Sequence, residues 1–110
     1  MANPIRGEVE LKAGEKTYQL RLSINSIVEI ETLLDRGIGQ IIESLDPDRV
    51  RVGTLRALLW GALRENHPTI SIFDAGDLIS QIGAAVAGEK IGEALKAAFP
   101  PAEPGQAPLN

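Results

Sequence analysis

The sequence predicts an α+β domain in which one N-terminal β-hairpin packs against four or five short α-helices. Residues 8–13 and 17–22 alternate polar and apolar side chains, which is typical of strands with one buried face. From residue 24 onward the apolar side chains recur at helical spacing instead. A chain of 110 residues has the size of one domain and can bury a core without metal or disulfide. We therefore expect one domain over residues 1–99, followed by a disordered Pro/Ala/Gly-rich tail over residues 100–110.

The two alternating segments predict a hairpin with a single apolar face. Gly14, in the connecting AGEK, can adopt the positive φ of a tight turn. A pair of strands alone is marginal in water, so the helices are expected to cover this face. The residues predicted to face the core are Val9, Leu11, Ala13, Tyr18, Leu20 and Leu22.

The first predicted helix follows the hairpin directly. Its N-cap is one of three residues with suitable side-chain oxygens, Ser23, Asn25 or Ser26. Gly37 is expected to end the helix in a left-handed conformation. Ile27, Ile30 and Leu34 share one helical face.

Glu31 lies at the edge of this apolar face, whereas Glu29 points away from it. A carboxylate in that position allows a catalytic interpretation. An ion pair between Glu31 and an arginine is the favoured interpretation, because residues 49–64 contain four arginines and no acidic residue. In a chain of net charge −4 this basic segment is expected to neutralise the protein's own acidic helices. An acidic chain is a poor general ligand for nucleic acid.

The basic segment also contains the only Trp of the chain, in RALLWGALRENHP. Thr54 is the expected N-cap of this helix, and Pro68 disfavours helical geometry at His67. Trp60 lies four residues from both Arg56 and Arg64, at the edge of the apolar stripe. Two interpretations remain: a boundary Trp covered by the hairpin or the last helix, or a protein-docking patch of these three residues. The stripe consists of Leu55, Leu58, Leu59, Ala62 and Leu63.

Two further helices are predicted. Ser71 and Asp74 have the spacing of a capping box, and a break is expected near Gly88. Gly83, Gly88 and Gly92 are interpreted as sites of close helix packing. Before the break Ala75, Leu78, Ile79, Ile82 and Val86 form one face, and after it Ile91, Leu95, Ala98 and Phe99 point inward.

The sequence contains few residues that could support catalysis or bind a metal. The chain has no Cys and one His, and His67 is expected to cap helix carbonyls rather than to act as a base. No nucleotide-binding or nucleophile motif occurs, so we expect no enzyme activity, metal, cofactor or small-molecule substrate. A helix-turn-helix interpretation of residues 54–66 and the helix from Phe73 is disfavoured, because the second helix begins with Asp74 and Asp77 and has no basic residue before Lys90. No apolar run could span a bilayer and the first residues do not form a signal peptide, so a cytoplasmic protein that does not contact membranes is expected.

Several separated blocks nevertheless resemble one known family. They are NPIRGEVEL, YQLRLSINSIVEIETLL, GIGQII, VGTLRALLWGALRENHP, DAGDLI and the closing AAF. Their order and spacing are similar to those of small tail proteins of gene transfer agents and related prophages, from about Asn3 to Phe99.

The resemblance implies a non-enzymatic role in the assembly of a phage-type tail. Members of the group are described as tail assembly chaperones that bind tape-measure and tail tube proteins, and also as tail tube components. We therefore expect a chaperone, with a structural tail subunit, and hence a place in a virion-like particle, as the alternative. Homo-oligomers are compatible with both. The resemblance carries no catalytic residue to this chain.

Overall fold

The computed structural model describes residues 7–99 and confirms the predicted α+β class. Two antiparallel strands are followed by five helices. The predictions for residues 1–6 and for the tail at 100–110 lie outside the described residues. The elements are β1 (Glu8–Ala13), β2 (Lys16–Arg21), α1 (Ile24–Leu34), α2 (Ile38–Glu43), α3 (Val52–Arg64), α4 (Ile72–Ile82) and α5 (Ala84–Ala98).

The hairpin follows the predicted alternation. Ala13 pairs with Lys16 across a two-residue turn, and Gly14 has a φ of 63°. Glycine suits this position because a side chain there would be strained. Leu11 and Leu20 are fully buried, while Val9 and Tyr18 pack against the core from its edge.

The centre of the fold is α3, which packs against α1, α4, α5 and β2. All five residues of its predicted stripe are buried. One residue outside the stripe sets the approach of α1: a Cβ on Gly61 would overlap the side chain of Ile30, which is itself fully buried. Gly61 therefore allows α1 and α3 to come closer than any larger residue would permit.

Two predicted helix ends were wrong in position. Asp35, not Gly37, takes the left-handed conformation after α1, with φ 53° and its N–H bonded to the carbonyl of Glu31. Aspartate tolerates this conformation better than most residues. Gly37 instead has φ −70° and precedes α2. The N-cap of α3 is Arg51, so Thr54 lies within the helix.

The break between the last two helices was also misplaced. It falls at Gly83, which has a φ of 93°, and α5 continues through Gly88. Val86 therefore belongs to α5, and 40% of it is exposed. Phe99, predicted to point inward, is 45% exposed.

The two best-defined helix starts have side-chain caps. Ser23 accepts the N–H of Ser26 at the start of α1. At α4 the predicted capping box is confirmed: Ser71 Oγ accepts the N–H of Asp74 at 3.0 Å, and Asp74 Oδ2 accepts the N–H of Ser71 at 2.9 Å. These bonds satisfy N–H groups that the helices leave without a partner.

Candidate protein-docking site

The structure places Trp60 and Arg64 together, one helical turn apart on α3. The Arg64 guanidinium lies over the Trp60 ring, 5.1 Å from its centroid. Its Nη1 also donates to Glu29 Oε1 of α1 at 2.7 Å. Trp60 is partly buried and packs against the core. The ring and the ion pair therefore form an ordered, half-exposed patch where α1 meets α3.

Arg56 does not join this patch. Its guanidinium lies over the ring of Phe73 on α4, 5.8 Å from the centroid. The arginine stem passes Gly76, where a Cβ would come within 3.2 Å of Arg56 Cδ. The three predicted docking residues thus divide into two clusters, Trp60–Arg64–Glu29 and Arg56–Phe73. Phe73 is 71% exposed, and its contact with Arg56 was not predicted from the sequence.

Glu31 has a role different from the one predicted. Its Oε2 accepts the backbone N–H of Ile38 at 2.7 Å, at the first residue of α2. The expected ion pair between Glu31 and an arginine was wrong. Glu29, predicted to point away, forms the ion pair instead. The carboxylate of Glu31 therefore fixes the position of α2 relative to α1.

His67 and Asn66 bind the hairpin. The Nε2 atom of His67 accepts the N–H of Gln19 at 3.3 Å, and its ring lies edge-on to Tyr18 with centroids 5.2 Å apart. Asn66 Nδ2 donates to the Gln19 carbonyl at 3.4 Å and to Glu8 Oε2 at 3.0 Å. The prediction that the His67 side chain caps helix carbonyls was wrong, although its backbone N–H bonds the Leu63 carbonyl. Asn66 and His67 therefore hold the segment after α3 against β2, which is a structural role.

A second feature, which the sequence analysis missed, is an apolar groove between α5 and the segment that joins α2 to α3. Its volume is about 650 Å³. The wall formed by the connecting segment and the start of α3 is aliphatic, and the floor formed by α5 carries very small side chains. Glu89 is the one charged residue among the described residues that line it. The lining residues are Leu45, Pro47, Val50, Leu55, Ala84, Ala85, Gly88, Glu89 and Gly92.

Packing among residues 7–99 does not require the two glycines of the floor, Gly88 and Gly92. A Cβ on Gly92 would meet nothing within 4 Å, and one on Gly88 would make only ordinary contact with Leu55, at 4.0 Å. Among residues 7–99, the close helix packing predicted for these glycines therefore does not occur at Gly88 or Gly92. Each glycine inside a helix costs about 1 kcal/mol relative to Ala. A sequence signal did exist: Gly88 and Gly92 are four residues apart, which is the spacing of one helical face.

Two further observations concern metal ions and membranes. Within residues 7–99, no cluster of three or more His, Cys, Asp or Glu side chains is arranged to hold a metal ion. None of the helices described is long and apolar enough to cross a membrane.

Comparison with known proteins gave one family. The chain matches the profile described as "Phage tail tube protein, GTA-gp10" over residues 6–99. A search of curated proteins and a search of solved structures gave no match. The match spans nearly the whole described region, from the hairpin to the end of α5, and confirms the family resemblance. The chain therefore belongs to the phage tail tube protein family GTA-gp10.

Proposed function

We propose that this protein is a non-enzymatic tail assembly chaperone, and that its groove between α5 and the α2–α3 connection binds an apolar helix of another tail protein. The tape-measure protein is the proposed partner. The observation that carries the proposal is the groove itself, which combines aliphatic walls, a floor of Ala and Gly and a single charged residue. Pockets of this composition bind apolar segments.

The shape of the floor favours a helix as the bound element. Ala84, Gly88 and Gly92 follow at intervals of four residues, which places them on one face of α5. This strip is about 12 Å long, because an α-helix rises about 1.5 Å per residue. Small residues let two helix axes approach closely, so the side chains of a partner helix can fill the groove.

The free-energy cost of the glycines supports a role outside the fold. Two helical glycines reduce stability by about 2 kcal/mol relative to Ala. No contact among residues 7–99 requires Gly92 to lack a side chain, and its place on the floor of the groove is what favours a contact with a partner. Binding surfaces commonly retain such costs in exchange for function.

The Trp60–Arg64–Glu29 cluster is proposed as a second contact for the same class of partner. Trp and Arg are enriched at the residues that dominate binding energy in interfaces. The ion pair to Glu29 holds Arg64 over the indole before any partner arrives. Less side-chain entropy is then lost on binding. The Arg56–Phe73 cluster also places an arginine over an aromatic ring, on another part of the surface.

A structural subunit of the tail tube is the second candidate. It is favoured by the family description, which names a tail tube protein. In that case, copies of the chain would contact each other in a ring and remain in the finished particle. A chaperone would bind its partner in the cell and then leave.

Co-expression with the tape-measure protein of the same phage-type tail tests the chaperone proposal. The two proteins are expressed together and separately, and the soluble fractions are analysed by size-exclusion chromatography. We expect the tape-measure protein to be soluble only in the co-expression, eluting in one peak with this chain. A tape-measure protein that is equally insoluble with and without this chain contradicts the proposal.

A further inference from the structure

The two outer edges of the hairpin differ in whether their main-chain groups are hydrogen-bonded. On β2, the N–H and the carbonyl of Gln19 both point away from β1 and are bound by His67 and Asn66, at 3.3 and 3.4 Å. This edge is closed by side chains from the end of α3. An additional strand could not pair there without displacing both of them.

On β1, the corresponding groups have no such cover. Glu10 is opposite Gln19 in the register. In an antiparallel pair, opposed residues point their main-chain groups the same way relative to the partner, either both inward or both outward. The N–H and C=O of Glu10 therefore point outward, as do those of Glu8 and Lys12. Among residues 7–99 no hydrogen bond to these main-chain groups occurs.

A groove runs along this open edge. Its volume is about 500 Å³, and it is lined by β1 on one side and by Val86, Lys90 and Glu93 of α5 on the other. Val86 is among the exposed large apolar residues. An unpaired edge with space beside it can accept a further strand.

We propose that β1 pairs with β1 of a second copy of this chain, antiparallel about a two-fold axis at Leu11, to give a four-stranded sheet across a dimer. The charge pattern of the strand selects both the partner and the register. With Leu11 opposite its own copy, Glu10 lies opposite Lys12 of the second copy, and Lys12 lies opposite its Glu10. Both side chains are exposed, and within one chain Lys12 Nζ lies 3.9 Å from Glu10 Oε1. The dimer would exchange this weak, exposed contact for two pairs between the copies.

The neighbouring register is disfavoured by the same charges. A pair centred on Glu10 would place the two Glu10 carboxylates directly opposite each other, which is destabilising. A shift of the register by one residue is also excluded. Only every second residue of β1 points its main-chain groups outward, and such a shift would turn the core-facing side chains of the second strand to the other face of the sheet.

The flank of α5 lies beside the edge that this dimer would use. Lys90 and Glu93 line the same groove and form a weak pair with each other at 3.7 Å. A two-fold axis beside β1 brings the groove-facing flanks of both α5 helices toward the same interface. Such an interface is closed, since each copy uses the same surface. It differs from the open, repeating contacts that a tube subunit needs, and it does not involve the floor formed by Gly88 and Gly92.

Charge reversals test the pairing directly. In sedimentation equilibrium of the full chain, we expect a concentration-dependent monomer–dimer equilibrium. Glu10→Lys or Lys12→Glu places like charges at both pairs, so each variant alone should dissociate about tenfold more readily or more. An equimolar mixture of the two variants restores both Glu–Lys pairs and should dimerise as tightly as the wild type. Glu43→Lys, a matched reversal on α2, should leave the dimer unchanged.

Each other outcome overturns the proposal. A wild-type chain that is monomeric at every concentration has no such interface. A dimer that survives both reversals uses another surface. Two weakened variants that fail to recombine show that β1 pairs with something other than β1. Circular dichroism of each variant confirms that the hairpin and helices are intact, because both exchanged side chains are exposed.

Discussion

Gly92→Leu separates binding from folding more sharply than any other change in this chain. The site lies in the middle of α5, and no heavy atom lies within 4 Å of the position of the new Cβ. Replacing a helical glycine by Leu should stabilise the fold by roughly 0.5–1 kcal/mol. In a domain of this size, each kcal/mol of added stability raises the Tm by about 4–8 °C. The new side chain would at the same time fill the floor of the groove.

Two measurements should therefore change in opposite directions: the stability of the fold should rise and the capture of the partner should fall. Urea unfolding should show a more stable protein, and co-expression should show loss of soluble complex with the tape-measure protein. Gly39→Leu is the control, because this helical glycine of α2 is equally open but lies away from the groove. It should keep full capture of the partner. Full capture by Gly92→Leu would refute the groove as the docking site, and a destabilised Gly92→Leu would refute the claim that the glycine is not needed for packing.

Three more substitutions test individual contacts. Gly61→Ala should destabilise the fold by about 1–3 kcal/mol in urea unfolding, because the new methyl overlaps Ile30. Adding Ile30→Val should recover part of this loss. An unchanged free energy of unfolding in Gly61→Ala would contradict the close contact. Ser71→Ala should cost roughly 0.5–2 kcal/mol through loss of the cap, and Ser71→Thr should keep most of it. Trp60→Ala should reduce capture of the tape-measure protein more than stability; an unfolding loss of about 3–5 kcal/mol, typical of a fully buried Trp, would identify the ring as core instead.

The hairpin and the apolar stripe of α3 could be predicted because burial of one side of a strand or helix makes the apolar residues recur at a regular spacing. A strand slipped by one residue would expose Leu11 and Leu20, so the alternation alone fixes which residues face inward. The capping box is equally local, since Ser71 and Asp74 satisfy each other's N–H groups. Features determined within a few residues were therefore predicted correctly.

Helix ends between competing glycines could not be predicted in this way. Gly83 and Gly88 have the same intrinsic preference, and tertiary packing decides which one breaks the helix. Ala87 and Ile91 are buried in the core, which requires the helix to be continuous through Gly88. Packing likewise allows Asp35 to take the left-handed position that was expected of Gly37.

The division of the predicted docking patch has the same origin. Arg56 and Arg64 are equally distant from Trp60 along the helix, so spacing cannot distinguish them. The neighbouring helices distinguish them: α1 presents Glu29 to Arg64, and α4 presents Phe73 to Arg56. The groove was missed for a related reason, because its walls come from segments far apart in sequence.

Quantitative mass spectrometry of purified particles tests the central claim most directly. The particles should be prepared from a strain that expresses this chain, and its copy number compared with those of the tape-measure and major tail proteins. A chaperone acts before the tail is complete, so we predict that this chain is absent or far below one copy per particle. Many copies per particle, in constant ratio to the tape-measure protein, would contradict the chaperone proposal and identify the chain as a structural subunit of the tail.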